Sequence, residues 1–437
     1  MNYKPVRVLL FRYSSLAANR GFTAIAYARG PDLNLNLSLS LIFAAMATDL
    51  FQSPDYFGVD DLLSDEHKLI RETVRNYVKK EISPIIEDYA QRAEFPEQIV
   101  KQLGDLGCFG PTVPTEYGGG GLDYISYGLM MQELERGDSG VRSTASVQGS
   151  LVMFPIYQYG SEEQRKKYLP KLGSGEWLGC FGLTEPDHGS NPSGMLTNIK
   201  DAGDHVILNG SKMWISNAPY AQVAVVWAKD EAGDIRGLVV ERGMEGFATP
   251  TTHGKWSLRA SATGELVFDN VKVPKENIFP NVKGLKGPLG CLSKARYGIA
   301  WGALGAAMAC YDTALRYSKE RIQFDKPIGA FQLQQKKLAE MITEITKAQL
   351  MVWRLGTLMN EGRATPQQIS MAKRNSCEIA ADIARNARQM LGGMGITGEY
   401  SIMRHMMNLE SVITYEGTHD VHLLITGMDV TGFNAFK

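Results

Sequence analysis

The spacing of apolar residues is helical from about residue 61 to about residue 172. Residues such as Leu69, Ile70 and Val74 recur at intervals of three and four positions, which is typical of amphipathic helices. Several runs of this kind follow one another before the pattern changes. The sequence therefore predicts an N-terminal helical domain over residues 60–175.

Apolar residues then begin to alternate with polar ones. Between residues 176 and 277, short stretches rich in β-branched residues are separated by Gly, Asn and Asp, which is typical of strands joined by turns. These stretches begin at His205, Val223, Ile235 and Glu265. We therefore expect a middle antiparallel β domain over residues 176–280.

The helical period returns after a glycine-rich segment, residues 284–290. Three long runs follow at residues 295–322, 333–360 and 366–391, and they predict a C-terminal four-helix-bundle domain over residues 285–437. The predicted fold class is therefore α+β and multidomain, in the order helical, β, helical. No strand is followed by a Gly-x-Gly-x-x-Gly turn and a helix, so the sequence does not indicate a Rossmann dinucleotide site.

Residues 1–45 differ in composition from the rest of the chain. They hold five basic residues against the single acid Asp32. An acid-poor start that contains Arg and Ser is typical of a transit peptide, and an upstream translation start with Met46 as the true initiator explains it equally well. We expect this extension to lie outside the fold. The first case implies the mitochondrial matrix, and the second implies the cytoplasm of a bacterium.

The overall charge argues against a general affinity for polyanions. The 437 residues carry 46 Lys and Arg against 47 Asp and Glu, a formal charge of −1. No broad positive field is therefore available for a nucleic acid or an anionic membrane. No apolar run reaches the roughly 18 residues that a membrane span requires. The five cysteines show no C-x-x-C spacing and are expected to be buried apolar residues in a reducing compartment.

Four widely separated segments resemble one enzyme family. They are LTEPDHGS at residues 183–190, RYGIAWG at 296–302, QMLGGMGI at 389–396 and TYEGTHD at 414–420. Together they make the chain, from about residue 60 to residue 437, similar to the acyl-CoA dehydrogenase family, and within it to the branch that acts on glutaryl-CoA. The resemblance implies FAD as the cofactor, a homotetramer, and an electron-transfer flavoprotein as the partner that accepts the electrons.

Glu416 is the candidate catalytic residue. Removing the proton next to a thioester carbonyl requires a carboxylate shielded from solvent. The resemblance implies that Glu416 takes this proton while a hydride passes to FAD. It also assigns Tyr415 and Gly417 to the substrate and Thr418 to the cofactor. Taken from the residues alone, a helix N-terminal carboxylate beside a capping threonine is the simpler interpretation.

Arg142 and Ser143 are the candidate residues for the distal carboxylate of glutaryl-CoA. Burying a carboxylate requires a cation and hydrogen-bond donors. The resemblance assigns these roles to this pair, with Glu135 and Tyr415 completing a polar network. A capped turn with Arg142 paired at the surface is the alternative. The resemblance gives three further residues along the path of the CoA chain: Ser190, Leu289 and Arg296.

The resemblance implies two groups of FAD-binding residues. The first lies in the β domain around the flavin ring: Phe181, Leu183, Thr184, Gly189, Trp214, Ile215 and Ser216. The second lies on the C-terminal helices and holds the diphosphate and adenine across a subunit interface: Arg321, Gln332, Gln389, Met390, Leu391, Gly392 and Gly393. Asp325 stands where the family usually has Gly. Without the resemblance, Trp214 reads as a core residue and Arg321 as a solvated charge.

Glu135 also bears on the expected product. Family members that decarboxylate keep a glutamate here, so the resemblance implies oxidation and decarboxylation of glutaryl-CoA to crotonyl-CoA and CO2, as in lysine and tryptophan degradation. Three alternatives stand beside it: a dehydrogenase for short or branched monocarboxylic acyl-CoA, a flavin oxidase or monooxygenase of the same fold, and a noncatalytic CoA- or flavin-binding assembly protein. His419 and His422 lack a His-Glu-x-x-His frame, and no metal is predicted.

Overall fold

The computed structural model describes residues 55–436. The predicted extension, residues 1–45, lies outside the described residues, so its interpretation stays a prediction. Among residues 55–436, none of the helices is long and apolar enough to cross a membrane.

Seven α-helices form the first part of the described chain. Ser64 starts the first of them, because its hydroxyl accepts a hydrogen bond from the His67 amide at 3.2 Å and the His67 ring accepts one from the Ser64 amide. Short π-helical segments, Val78–Ile82 and Val147–Met153, follow two of the helices. The seven are α1 Asp65–Tyr77, α2 Ile86–Arg92, α3 Gln98–Asp105, α4 Tyr124–Gly137, α5 Ser139–Ser146, α6 Phe154–Tyr159 and α7 Glu162–Gly173.

A seven-stranded sheet forms the middle part. Its strands are β1 Gly179–Gly182, β2 Asn198–Asp201, β3 His205–Ser216, β4 Val223–Lys229, β5 Ile235–Glu241, β6 Phe247–Ala248 and β7 Thr263–Pro274. They lie in the order β1-β4-β2-β3-β7-β6, and β5 pairs with β4. Most pairs are antiparallel, as expected, but β1 runs parallel to β4, with Gly179 opposite Val223.

Five helices form the last part, together with a small hairpin between the first two. The helices are α8 Lys286–Glu320, α9 Gln332–Asn360, α10 Pro366–Met390, α11 Ile402–Thr414 and α12 His419–Thr431. The hairpin strands are β8 Ile322–Gln323 and β9 Lys326–Pro327. Phe324 and Asp325 form its turn with φ angles of 50° and 62°. This left-handed backbone explains why a glycine suits the position that Asp325 occupies.

Helix α8 lies at the centre of the helical part and packs against α4 and α10. It is 35 residues long and buried on all sides from Ala295 to Ala314. It begins at Lys286, earlier than the predicted start of this run at residue 295. Gly287 in its first turn packs closely against β4, because a Cβ there would overlap the Trp227 ring.

The order helical, β, helical confirms the predicted fold class. One apolar core runs through the helices, and a second lies in the sheet around residues such as Leu208 and Val226. All five cysteines are buried and free, as the sequence predicts.

Candidate active site

The segment between α11 and α12 has an unusual backbone. Glu416 has a φ angle of 53° and Gly417 one of 95°. A left-handed conformation costs a residue other than glycine about 1–2 kcal/mol. Such strain persists only where the surroundings hold it, and it is common at functional sites.

Two buried cations hold the carbonyl groups of this segment. Lys373 of α10 donates from Nζ to the carbonyl oxygens of Tyr415 and Gly417, at 3.0 and 2.9 Å. Arg296 of α8 donates from Nε to the carbonyl oxygen of Glu416 at 2.7 Å. A hydrogen bond to a charged group contributes about 1.5–3 kcal/mol. The three bonds therefore exceed the cost of the left-handed backbone.

The Glu416 carboxyl has a buried oxygen and a raised pKa. Its Oε2 atom is buried and has no hydrogen-bond partner in the described residues. Burial raises the pKa of Glu416 to about 7, while the charges of Arg142, Arg296 and Lys373 act to lower it. A base with a pKa near the working pH combines availability with proton affinity.

Arg142 of α5 is fully buried, with a relative exposure of 1%. Its Nε donates to Glu135 Oε2 at 2.5 Å and its Nη2 donates to the Tyr415 hydroxyl. Burial lowers the pKa of Arg142, but Glu135 and Tyr415 together raise it above its usual value, so the guanidinium stays charged. Ser143 lies beside it and is also buried. The alternative in which Arg142 pairs at the surface is wrong.

Helix α11 joins Arg142 to the base segment, residues 415–418, which carries the candidate base Glu416. At its first turns, Arg404 Nη1 and Asn408 Nδ2 donate to Asp138 Oδ2 at 2.5 and 2.8 Å. Asp138 caps the N-terminus of α5, the helix that carries Arg142. At the other end α11 leads into Tyr415, whose hydroxyl binds Arg142. Contacts at both ends of α11, with Asp138 at its start and with Arg142 at its end, therefore fix the position of Arg142 relative to the base segment.

The residues assigned to the flavin ring lie on two adjoining segments at the end of the sheet. Phe181 is in β1, and Leu183 and Thr184 follow it directly. The Met213 amide donates to the Thr184 carbonyl oxygen at 2.9 Å, which brings the Trp214 segment of β3 alongside. In this segment Ile215 is buried and Ser216 is half-buried. The two predicted residues in the loop after Thr184, Gly189 and Ser190, are exposed.

Trp214 is not the core residue that composition alone suggests. It is 57% exposed and has a φ angle of 61°. The exposed indole offers an apolar surface, and the half-buried Thr184 and Ser216 belong to the same two adjoining segments.

The residues assigned to the diphosphate and adenine lie at helix ends. Arg321 follows α8, Gln332 begins α9, and Gln389 lies in the last turn of α10 and accepts a hydrogen bond from Lys337 at 2.9 Å. These three are exposed, as are Gly392 and Gly393, whereas Met390 and Leu391 are buried. They form a surface group that is separate from the buried cluster around Glu416.

Of the remaining predicted residues, Arg296 and Thr418 lie beside Glu416. Leu289 and Arg296 are seven positions apart on α8 and therefore share one face of that helix. Thr418 caps α12 by accepting a hydrogen bond from the Val421 amide at 3.3 Å. The capping interpretation of this threonine thus holds alongside its position next to the base.

Three parts of the chain match the parts of one family. Residues 64–176 match the acyl-CoA dehydrogenase N-terminal domain, residues 180–271 the middle domain, and residues 283–431 the C-terminal domain. A glutaryl-CoA dehydrogenase of Desulfococcus multivorans is 39% identical over 384 residues, which are 86% of this chain and 98% of that protein. The chain belongs to the acyl-CoA dehydrogenase family.

Two further relatives of this acyl-CoA dehydrogenase are named for different substrates. A crystal structure of a glutaryl-CoA dehydrogenase from Mycobacterium smegmatis in complex with FADH2 is 48% identical, with a TM-score of 0.86 and coverage of 87% of this chain and 98% of that one. The human mitochondrial short-chain specific acyl-CoA dehydrogenase is 35% identical over 369 residues, which are 83% of this chain and 89% of that protein.

Sequence reasoning missed two residues of this acyl-CoA dehydrogenase that the site depends on. Lys373 reads as an ordinary helix cation, but it is fully buried against the base segment. Gly302 of α8 faces the Glu135–Arg142 pair, and a Cβ there would overlap Glu135 Oε2 and lie 3.0 Å from Arg142 Nε. Its place in the motif RYGIAWG was the only signal available for it.

We expect Gly302→Ala to destabilise this acyl-CoA dehydrogenase. The added methyl group must displace a buried ion pair, and overpacking of this kind costs about 1–3 kcal/mol. Gly427→Ala is the matched control, since Gly427 also lies inside a helix but no atom of the described part of the chain lies within 4 Å of its added Cβ. The control should be neutral or more stable, because alanine favours helices. Urea unfolding of both variants gives the comparison, and equal midpoints would contradict the prediction.

Proposed function

We propose that this chain oxidises glutaryl-CoA between its α and β carbons and decarboxylates the product to crotonyl-CoA. The observation that carries the proposal is the fully buried Arg142, tied through Tyr415 to a segment that holds a buried carboxyl of raised pKa. Glutaryl-CoA needs both a cation for its distal carboxylate, which Arg142 offers, and a base for its α-proton, which Glu416 offers. The two glutaryl-CoA dehydrogenases to which the chain is similar support the same choice.

Charge balance favours a dicarboxylic substrate. Three buried cations, Arg142, Arg296 and Lys373, surround the site, against the two carboxylates Glu135 and Glu416. One positive charge is therefore left over when Glu416 is ionised, and the distal carboxylate of a glutaryl chain neutralises it. A butyryl chain leaves this charge unbalanced in a buried site, which is costly. The similarity to the human short-chain enzyme makes butyryl-CoA the proper comparison substrate.

The residues at the end of the sheet fit FAD. The exposed Trp214 indole offers a surface for a flat ring system, and Thr184 and Ser216 in the two adjoining segments carry hydroxyls that can hydrogen-bond to its edge. Arg321 offers a guanidinium suited to a phosphate. The Mycobacterium smegmatis relative was crystallised with FADH2. When bound, FAD supplies the two-electron acceptor for the oxidation.

The chain's own residues then have the following roles. Glu416 takes the α-proton of the thioester, and Arg142 with Ser143 holds the distal carboxylate. Glu135 keeps one buried oxygen, Oε1, without a hydrogen-bond partner among residues 55–436, and its negative charge beside the substrate carboxylate favours the loss of neutral CO2. The electron pair from the broken carbon–carbon bond enters the thioester as a dienolate. Glu416 returns a proton to the far end of this dienolate.

An anaerobic flavin assay tests the proposal. Purified protein with bound FAD is mixed with glutaryl-CoA or butyryl-CoA, flavin absorbance is followed, and the products are identified. We expect glutaryl-CoA to bleach the flavin about 100-fold faster, in keeping with about 2–5 kcal/mol for a buried charge pair. Equal bleaching by both substrates would contradict the carboxylate pocket. Glutaconyl-CoA as the end product would contradict the decarboxylation. No bleaching with either substrate would favour a noncatalytic assembly protein.

The pH dependence should follow the Glu416 carboxyl. Because burial raises the pKa of Glu416 to about 7, the base is ionised above this pH and carries its proton below it. We expect kcat/KM to fall with acid from about pH 7, by about tenfold per pH unit. Stopped-flow measurement with glutaryl-CoA over this range checks it. An unchanged rate down to about pH 5, near the usual glutamate pKa, contradicts the assignment.

We also propose a homotetramer that passes electrons to an electron-transfer flavoprotein. The exposed helix-end group at Arg321, Gln332 and Gln389 supports this, because it is open to a cofactor held by another subunit. Exposed apolar residues on and after α12, such as Val430 and Phe433, support a covering subunit. Sedimentation of the purified protein tests the assembly. We further propose residues 60–175, 176–280 and 285–437 as the domain boundaries.

A further inference from the structure

Lys373 is a buried cation that makes no direct ion pair with the described residues. Its side chain is fully inaccessible, and its Nζ donates to two carbonyl oxygens, those of Tyr415 and Gly417. Within residues 55–436, no carboxylate oxygen lies within ion-pair distance, 4.0 Å, of this nitrogen. Burial lowers the pKa of Lys373. An apolar side chain of similar length could fill the same space without this cost, so the charge calls for an explanation.

The two carbonyl groups that Lys373 binds stand on either side of Glu416. Relaxing the left-handed φ angle of Glu416 requires one of the adjoining peptide groups to rotate. Rotation of the peptide group before Glu416 turns the Tyr415 carbonyl away from Lys373, and rotation of the peptide group after it turns the Glu416 carbonyl away from Arg296. Lys373 also binds the Gly417 carbonyl, one peptide group further on. Lys373 therefore opposes the first rotation directly and anchors the backbone on both sides of Glu416.

We propose that Lys373 is a positioning residue for the base, which fixes the left-handed backbone of Glu416 so that its carboxyl is directed into the site. This inference rests on the proposed role of Glu416. In addition to that role, the Lys373 ammonium group holds the backbone of Glu416 in place and adds a positive charge near its carboxyl.

The electrostatic part follows from the groups that face Glu416. Its cationic neighbours are Arg142 from α5, Arg296 from α8 and Lys373 from α10. From α12, burial lowers the pKa of His422 to about 3, so this ring is neutral. From α4, Tyr127 is also neutral, since burial raises its pKa. Removing the Lys373 charge therefore removes one of three opposing influences and raises the pKa of Glu416 further.

The variant Lys373→Met tests the proposal, because it keeps the apolar stem and removes the ammonium group. We expect flavin reduction by glutaryl-CoA to slow by about 10- to 100-fold as the base loses its orientation. The fall of kcat/KM at low pH, its acid limb, should begin about one pH unit higher. The KM for glutaryl-CoA should change little, because Arg142 and Glu135 do not contact Lys373. Amide hydrogen exchange at residues 415–418 should become faster, which is a readout independent of turnover.

Two further variants make the result decisive. Lys212→Met, combined with Glu185→Gln to neutralise the carboxylate that Lys212 pairs with at 2.9 Å, removes a second fully buried lysine of the described residues, which also binds the Leu183 carbonyl in the β domain. It controls for the general cost of losing a buried amine and should leave the acid limb in place. Lys373→Gln keeps a hydrogen-bond donor without the charge, so it should still shift the acid limb, and it replaces Lys373→Met if that variant does not fold.

The outcomes separate this inference from the proposed function. A lower stability with an unshifted acid limb and an unchanged rate per bound flavin means that Lys373 has a purely structural role, and the inference is then overturned. Failure of the unaltered protein to be reduced by glutaryl-CoA, or full activity without the Glu416 carboxylate, overturns the proposed function instead.

Discussion

Replacing Glu416 by glutamine is expected to lower the rate of flavin reduction by glutaryl-CoA by about 10²–10⁴-fold, the usual contribution of a general base. Glutamine keeps the shape of the side chain but has no basic oxygen at the working pH. The backbone should be unaffected, because its left-handed conformation is held through the carbonyl groups and not through the carboxyl. Anaerobic stopped-flow absorbance measures the effect.

The variant should still bind its ligands. Addition of glutaryl-CoA should perturb the flavin spectrum without bleaching it, since Arg142 and the CoA path are unchanged. Folding should be as stable as before or more stable, because a buried neutral amide replaces a carboxyl that is costly to ionise there. Glu410→Gln is the matched control, as this exposed residue on α11 makes only a 3.5 Å surface pair with Arg385. A Glu416→Gln enzyme within tenfold of the control rules Glu416 out as the base.

Periodicity predicted the long elements of the fold well. The starts of β3, β4 and β5 and the runs of α9 and α10 agree with the alternation and the helical spacing. The short strands β1, β2 and β6 have two to four residues and offer no alternation to detect. The parallel pairing of β1 with β4 depends on a partner more than forty positions away. It therefore left no local pattern in the sequence.

The candidate site was also predictable only in part. Glu416 and Arg142 were assigned through the family resemblance, whereas the sequence could not decide whether Arg142 is buried or paired at the surface. That decision depends on Tyr415, 273 positions away, and on the space beside Gly302. Lys373 was missed because a lysine in a charged helical run reads as a solvated residue. Its burial arises from carbonyl groups 42 and 44 positions further along the chain.

Replacing Arg142 by methionine is expected to lower kcat/KM for glutaryl-CoA by about 10²–10³-fold, because the distal carboxylate then enters a buried site without its cation. Activity with butyryl-CoA should be kept or improved, since its methyl end gains an apolar neighbour. The ratio of the two kcat/KM values, measured by anaerobic flavin reduction, is the quantity to follow. A short-chain monocarboxylic dehydrogenase would instead lose little activity with either substrate.

Removing the Arg142 guanidinium also leaves Glu135 without its ion-pair partner. An unpaired buried carboxylate costs about 3–5 kcal/mol, enough to unfold part of the sample. The double variant Arg142→Met with Glu135→Gln removes both charges and keeps the pocket neutral, so it should fold better than the single variant. It should keep the same reversal of preference toward butyryl-CoA. If both substrates instead decline together in the double variant, Arg142 only supports Tyr415 and the base segment, and the carboxylate of the substrate binds elsewhere.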